Sequence, residues 1–129
     1  MKLRIRGNSL RLRLTRGEVE QLANAESIVE SIKFGIGERE QLVYSLETHK
    51  GEDGITAHYK HGSITVRLPV DVAKQWAETE EVSLEARQQL TMDTELKLLI
   101  EKDFVCLVGR APEEDADAFP HPSACAASC

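Results

Sequence analysis

The order of predicted secondary-structure elements in residues 1–54 recurs, without insertion, in residues 55–108. Each half contains a strand, a two-residue turn, a second strand, a helix and a further pair of strands. A half of this length would bury too little apolar surface to fold alone, so the two halves are expected to share one core. Chance similarity of two ordinary ββαββ units is the alternative. The residues that are identical at this offset are Ser9/Ser63, Arg13/Arg67, Leu14/Leu68, Gln21/Gln75, Ala23/Ala77, Glu26/Glu80, Leu42/Leu96 and Glu47/Glu101.

Local sequence signals place these elements. Leucine alternates with serine or arginine from position 9 to 14, which is the period of a half-buried strand. Gly7 and Asn8 tolerate positive φ and form the turn before it. Thr15 followed by Glu18 is a capping box, which predicts the start of a helix. The predicted strands are 2–6, 9–14, 28–34, 41–49, 55–60, 63–68, 82–86 and 95–103, and the predicted helices run from Thr15 to about Ala25 and from Pro69 to about Thr79.

This pattern predicts an α+β fold in which two tandem ββαββ halves form one pseudo-twofold, antiparallel, barrel-like sheet with two short helices. Residues 1–108 are expected to be a single domain made of the repeats 1–54 and 55–108. Residues 109–129 are expected to be an acidic tail, which contains two of the three cysteines and three of the four prolines. Its composition is typical of a disordered extension.

The net charge of −6 is unevenly distributed along the chain. Residues 1–16 carry six basic side chains and no acid, whereas residues 113–117 carry four acids and no base. Such asymmetry indicates an anionic partner or a contact between the two segments. The opening MKLRIRGNSL alternates charged with apolar side chains, unlike a signal peptide, and no apolar run is long enough to span a membrane. We therefore expect a cytoplasmic protein without a membrane partner.

The predicted first hairpin carries a basic face. With a turn at Gly7-Asn8, Arg4 lies opposite Arg11 and Lys2 lies opposite Arg13, and like charges in these positions destabilise a strand pair. A phosphate-bearing ligand would offset the repulsion, since guanidinium binds phosphate bidentately. The protein's own acids, Glu47, Glu101 or residues 113–117, are the alternative, and a solvated face is the third. The candidate ligand-binding residues are Lys2, Arg4, Arg6, Arg11 and Arg13.

These residues favour a small binding module whose partner is an anionic ligand, a nucleic acid or an acidic protein segment. The overall acidity argues against nucleic acid, although basic stripes can act locally. No aromatic residue lies between the arginines, which argues against stacking on single-stranded bases.

A second candidate site lies in the tail, where His121, Cys125 and Cys129 are spaced four residues apart. Thiolate and imidazole are ligands that suit Zn²⁺ or copper, and Cys106 or an acid would supply a fourth ligand. Three cysteines cannot form a closed disulfide framework, so they are expected to be thiols, metal ligands or redox groups. A loose tail without metal is the alternative.

The sequence resembles two known families. GNSLRLRLTRGEVEQL at 7–22 and HGSITVRLPVDVAKQW at 61–76 resemble the start of the swapped-hairpin DNA-binding domains of antitoxins and transition-state regulators. The whole chain, especially EKDFVCL at 101–107 with DAFPHP at 117–122, resembles a family of small bacterial proteins of uncharacterised function. The second resemblance implies no activity.

An enzymatic alternative comes from the repeated halves, which are similar to those of triphosphate tunnel enzymes. That resemblance implies a phosphohydrolase. Its strand motif is Glu-x-Glu-x-Lys, whereas the first strand here reads Lys2-Leu3-Arg4-Ile5-Arg6 and lacks the metal-binding carboxylates. The chain also shows no Ser/His/Asp order, phosphate loop or metal-hydrolase motif. The sequence therefore favours a non-enzymatic protein.

Overall fold

The structure is a computed structural model that describes residues 1–51, 53–104 and 119. The described part contains strands, two α-helices and one short 3-10 turn at Glu38–Glu40. The strands are β1 (Lys2–Arg6), β2 (Ser9–Leu14), β3 (Ile28–Lys33), β4 (Gln41–His49), β5 (Thr56–Lys60), β6 (Ser63–Pro69), β7 (Ser83–Gln89) and β8 (Glu95–Lys102), and the helices are α1 (Arg16–Ala23) and α2 (Val70–Glu78). None of the helices in the described ranges is long and apolar enough to cross a membrane.

The strands form two four-stranded sheets. Sheet A has the order β1-β2-β8-β7, and sheet B has the order β3-β4-β6-β5. The central pairs, β2 with β8 and β4 with β6, are parallel, and the outer pairs are antiparallel. The α+β class is therefore confirmed, whereas the prediction of one antiparallel, barrel-like sheet is wrong for the described residues.

The helices explain this difference. Helix α1 carries the chain from sheet A to sheet B, and α2 carries it back, so each N-terminal hairpin pairs with a C-terminal hairpin from the other half of the chain. In this arrangement β2 and β8 are neighbours in sheet A and run parallel to each other. The alternation of apolar and polar residues along a strand shows which face of the strand is buried, but it does not show which other strand pairs with it.

Turn and cap residues behave largely as their chemistry predicts. Gly7 has a φ of 54° at the first hairpin turn, and His61 and Gly62 have φ values of 48° and 76° at the second. The backbone N–H of Glu18 donates to Thr15 Oγ1 over 3.3 Å, and the backbone N–H of Thr15 donates to Glu18 Oε1 over 2.9 Å, which confirms the capping box. Helix α1 ends at Ala23, slightly earlier than predicted, because Ala25 adopts a left-handed φ of 62°.

The core lies between the sheets and the helices. Trp76 is completely buried. It belongs to one core cluster with leucines of all four central strands and side chains from both helices. The buried apolar residues are Leu12, Leu14, Val19, Leu22, Ile28, Leu46, Ala57, Val66, Leu68, Ala73, Trp76, Leu84, Leu98 and Ile100.

Polar contacts connect the edges of the two sheets. In a closed barrel, backbone hydrogen bonds between strands would connect these edges instead. Between β7 and β5, the side-chain amide of Gln88 accepts from the Ala57 N–H (2.8 Å) and donates to the Ala57 carbonyl (3.2 Å). Beside β1 and β3, the Met1 ammonium lies 2.5 Å from a carboxylate oxygen of Glu18 and 3.3 Å from one of Glu30. Burial alone would raise the pKa of Glu18, but hydrogen bonds from the Met1 ammonium and Thr15 outweigh it and leave the pKa below its usual value.

Replacing Gln88 with leucine is expected to lower the free energy of unfolding by about 1–3 kcal/mol, because the Ala57 N–H and carbonyl lose their partners. Urea unfolding measures the loss, and amide hydrogen exchange at Ala57 should accelerate. Gln89→Leu is the matched control, since the Gln89 amide bonds to Thr91 and Thr94 within its own hairpin. Equal effects of both substitutions would contradict a role of Gln88 in joining the sheets.

Candidate anion-binding face

The five basic residues singled out by the sequence lie together on the outward face of sheet A. In the β1–β2 register, Lys2 is opposite Arg13, Arg4 is opposite Arg11 and Arg6 is opposite Ser9. The alternate positions, including Leu3, Leu10 and Leu12, face the core. The predicted turn and strand period therefore give the correct register for the hairpin, with like charges facing each other in two pairs.

Strands β8 and β7 extend this outward face with residues that the sequence analysis did not include. Lys97 lies beside Ser9, and Arg87 lies beside Lys97 on the next strand. Leu99 and Glu85 follow in the next row, beside Arg11. Strand β7 runs to Gln89, beyond the predicted end at position 86, so Arg87 falls inside the sheet. The outward face of sheet A therefore carries seven basic residues, namely Lys2, Arg4, Arg6, Arg11, Arg13, Arg87 and Lys97.

Glu101 offsets part of the repulsion in the first hairpin. Arg11 donates through Nε and Nη2 to the two Glu101 carboxylate oxygens, over 2.7 and 3.1 Å. Arg13 donates through Nε to Oε1 of the same carboxylate, over 2.9 Å. Glu101 is only 8% exposed, and both arginines are half-buried. One of the acids proposed from the sequence thus offsets part of the charge of Arg11 and Arg13 from within the protein.

An open groove of about 620 Å³ crosses the other end of this face. Five basic residues contribute to its lining, against the single acid Glu85, and Leu99 supplies an apolar contact. Lys2 and Arg13 lie outside the groove lining; Lys2 instead forms an ion pair with Asp103 at 3.5 Å. The basic residues of the groove are Arg4, Arg6, Arg11, Arg87 and Lys97.

Each basic residue of sheet A can be compared with the residue 54 positions away on sheet B, which shows which charges the two sheets share. Arg67 Nε lies 3.1 Å from Glu47 Oε1 on sheet B, at the positions that correspond to Arg13 and Glu101. An Arg–Glu pair thus joins the two parallel strands of each sheet. Lys60 and Lys33 on sheet B correspond to Arg6 and Arg87. Three further charges are not shared, because Thr56, His58 and Thr65 replace Lys2, Arg4 and Arg11. The excess of basic residues is therefore a property of sheet A.

The predicted metal ligands Cys106, His121, Cys125 and Cys129 lie outside the described residues, and the site stays a prediction. The same holds for contacts of the acidic residues 113–117 with the basic hairpin. Within residues 1–51, 53–104 and 119, no group of three or more histidine, cysteine, aspartate or glutamate side chains is arranged to hold a metal ion.

Comparison with known proteins gives one match. A model for a family of unknown function, DUF7009, matches residues 1–123, which confirms the resemblance to an uncharacterised family. Neither curated proteins nor solved structures give a match. Because the match covers both sheets and both helices, the chain belongs to DUF7009, a family of unknown function.

Proposed function

We propose that the protein is a small cytoplasmic, non-enzymatic module that binds an anionic ligand or partner on the outward face of sheet A. The observation that carries this proposal is the concentration of Arg4, Arg6, Arg87 and Lys97 around one groove, in a chain whose net charge is −6. A local basic surface on an acidic protein attracts anions selectively to that surface. Arg11 also lines the groove, while Arg13 serves the internal pair with Glu101.

The spacing of these cations favours a ligand with several negative charges. Alternate residues of a strand lie about 6.6 Å apart, and neighbouring strands lie about 4.8 Å apart. Arg6 and Arg87 are on the two outermost strands of sheet A, so one small anion is too short to span the distance between those strands. Arg87 forms an ion pair with Glu95 at 3.5 Å, and an extended polyanion would contact Arg87 together with Arg6 and Lys97.

We also propose that the two halves, 1–54 and 55–108, are a tandem ββαββ repeat related by a pseudo-twofold axis. The pairing of each N-terminal hairpin with the C-terminal hairpin of the other half supports this relation. So do the corresponding ion pairs Arg13–Glu101 and Arg67–Glu47. The same exchange of hairpins is in keeping with the resemblance to swapped-hairpin domains.

Inorganic polyphosphate at low salt is a suitable probe of the proposed site. Replacing Arg6 and Arg87 together with alanine is expected to weaken its binding about tenfold, because two charge-assisted contacts are lost. Isothermal titration of the full chain measures the affinity, which should also fall as salt rises.

The matched control replaces Lys60 and Lys33, which lie at the corresponding positions of sheet B, with alanine. This control changes the net charge by the same amount and should leave the affinity nearly unchanged. Equal losses in both double variants, or an affinity that ignores salt, would overturn the proposal.

A further inference from the structure

We infer that β1 is a docking strand for an extended acidic peptide segment, in which acidic residues alternate with apolar ones and which joins sheet A as an additional strand. The inference rests on the proposed function, because the acidic side chains would occupy the same basic face. It goes further by naming the partner class and the way in which it binds.

Strand β1 is one of the two edge strands of sheet A. Within the described ranges it pairs with β2 on one side and with no strand on the other. The contact of Met1 with Glu30 ties the start of this edge to the neighbouring sheet. An edge strand presents a row of backbone N–H and carbonyl groups that can pair with another chain. At the edge of β5, by comparison, the Gln88 amide already occupies the backbone groups of Ala57.

The two faces of β1 differ in chemistry. Lys2, Arg4 and Arg6 point to the outward face, whereas Ile5 lies on the opposite face and is 59% exposed. Ile5 contributes to the basic groove and also to a second cavity of about 230 Å³, which opens between the sheets. The apolar lining of that second cavity comes from Ile5, Leu10, Ala57, Tyr59, Ile64 and Leu96.

A strand added beside β1 would also have one face next to the basic residues and one face next to the apolar residues. Successive side chains of a strand point to opposite faces, so every second residue of the peptide would face the arginines and the others would face Ile5 and the apolar cavity. The backbone would supply affinity, and the alternation of acidic and apolar residues would supply specificity.

The apolar side of the site favours a peptide over a nucleic acid. A phosphate backbone would use the cations but would leave Ile5 and the 72% exposed Tyr59 in water. Adjoining exposed apolar and charged surfaces are typical of protein interaction sites. The basic groove also has no aromatic side chain in its lining on which a base would stack.

The test uses the full chain and the acetylated, amidated peptide Glu-Val-Glu-Val-Glu-Val-Glu, with binding followed by titration at low salt. Two further peptides carry N-methyl groups on all valines or on all glutamates. Alternate N–H groups of a strand point to opposite edges, so one methylation pattern should weaken binding at least about tenfold and the other should be tolerated. If both methylated peptides bind as tightly as the parent, or both lose binding equally, the inference is wrong.

A protein variant separates this inference from the proposed function. Tyr59→Thr is expected to weaken peptide binding about fivefold to tenfold while leaving polyphosphate binding unchanged, because Tyr59 lines the apolar cavity and not the basic groove. Ile32→Thr, at an exposed position of the edge strand β3, is the control and should change neither affinity.

Polyphosphate binding without peptide binding would overturn the docking inference and leave the proposed function standing. If the wild-type chain binds neither polyphosphate nor the peptide, both the docking inference and the proposed function are wrong. A single-stranded oligonucleotide that binds more tightly than the peptide, and whose affinity does not change in Tyr59→Thr, would assign the face to nucleic acid and also overturn the inference.

Discussion

Replacing Glu101 with glutamine is expected to lower the free energy of unfolding by about 3 kcal/mol, because removal of one partner leaves buried charges without compensation. The Glu101 carboxylate accepts hydrogen bonds from both Arg11 and Arg13 and is 8% exposed. Without it, the half-buried guanidinium groups repel each other and also Arg4 and Lys2, which lie opposite them on β1. The parallel contact between β2 and β8 should weaken most.

Glu47→Gln is the matched control for this prediction. Its pair with Arg67 occupies the corresponding position of sheet B, but the two side chains are 38% and 44% exposed, so the loss should be below about 1 kcal/mol. Urea unfolding of both variants gives the comparison. The Glu101 variant should also bind polyphosphate more tightly, since Arg11 in the groove lining loses the Glu101 carboxylate as a partner. Equal stability losses would contradict the assignment of Glu101 as the main neutralising group.

Replacing Trp76 with alanine is expected to destabilise the protein by about 3–5 kcal/mol, the usual cost of a large cavity in a core. Trp76 is completely buried on α2, and the ammonium of Lys102 lies 5.6 Å from the centre of its ring. The side chain thus fixes α2 against the end of β8, the strand that carries Lys97 and Glu101.

Trp76→Phe separates the volume of the side chain from its polar atom. No hydrogen-bond partner for the indole N–H is found among the described residues, so phenylalanine should cost only about 1–2 kcal/mol for the lost volume. Circular dichroism must follow the unfolding, because Trp76 is the only tryptophan. A phenylalanine variant as unstable as the alanine variant would show that the N–H has a necessary partner.

The secondary structure was largely predictable, because each element has a local cause. Alternating leucines set the faces of β2, Gly7 permits the turn before it, and Thr15 with Glu18 starts α1. The arrangement of the sheets was not predictable in the same way. The pairing of β2 with β8 joins residues some 88 positions apart, such as Arg13 and Glu101, and no local signal specifies that partner.

The candidate site was predictable only for its own hairpin. The turn at Gly7 fixes which residues of β1 and β2 face each other, so the sequence correctly indicated like charges opposite Arg11 and Arg13 and included Glu101 among the compensating acids. Lys97 and Arg87 were missed. Their alternation on β8 and β7 marks them as outward-facing, but assigning them to the same sheet requires the non-local strand pairing.

The most direct test of the central claim is a titration of the ¹⁵N-labelled full chain with inorganic polyphosphate, followed by ¹H–¹⁵N spectra. Binding on the outward face of sheet A predicts the largest chemical-shift changes at Arg6, Lys97 and Arg87, with Lys33 and Lys60 on sheet B nearly unchanged. Changes of equal size on both sheets, or changes concentrated on sheet B, would contradict the account.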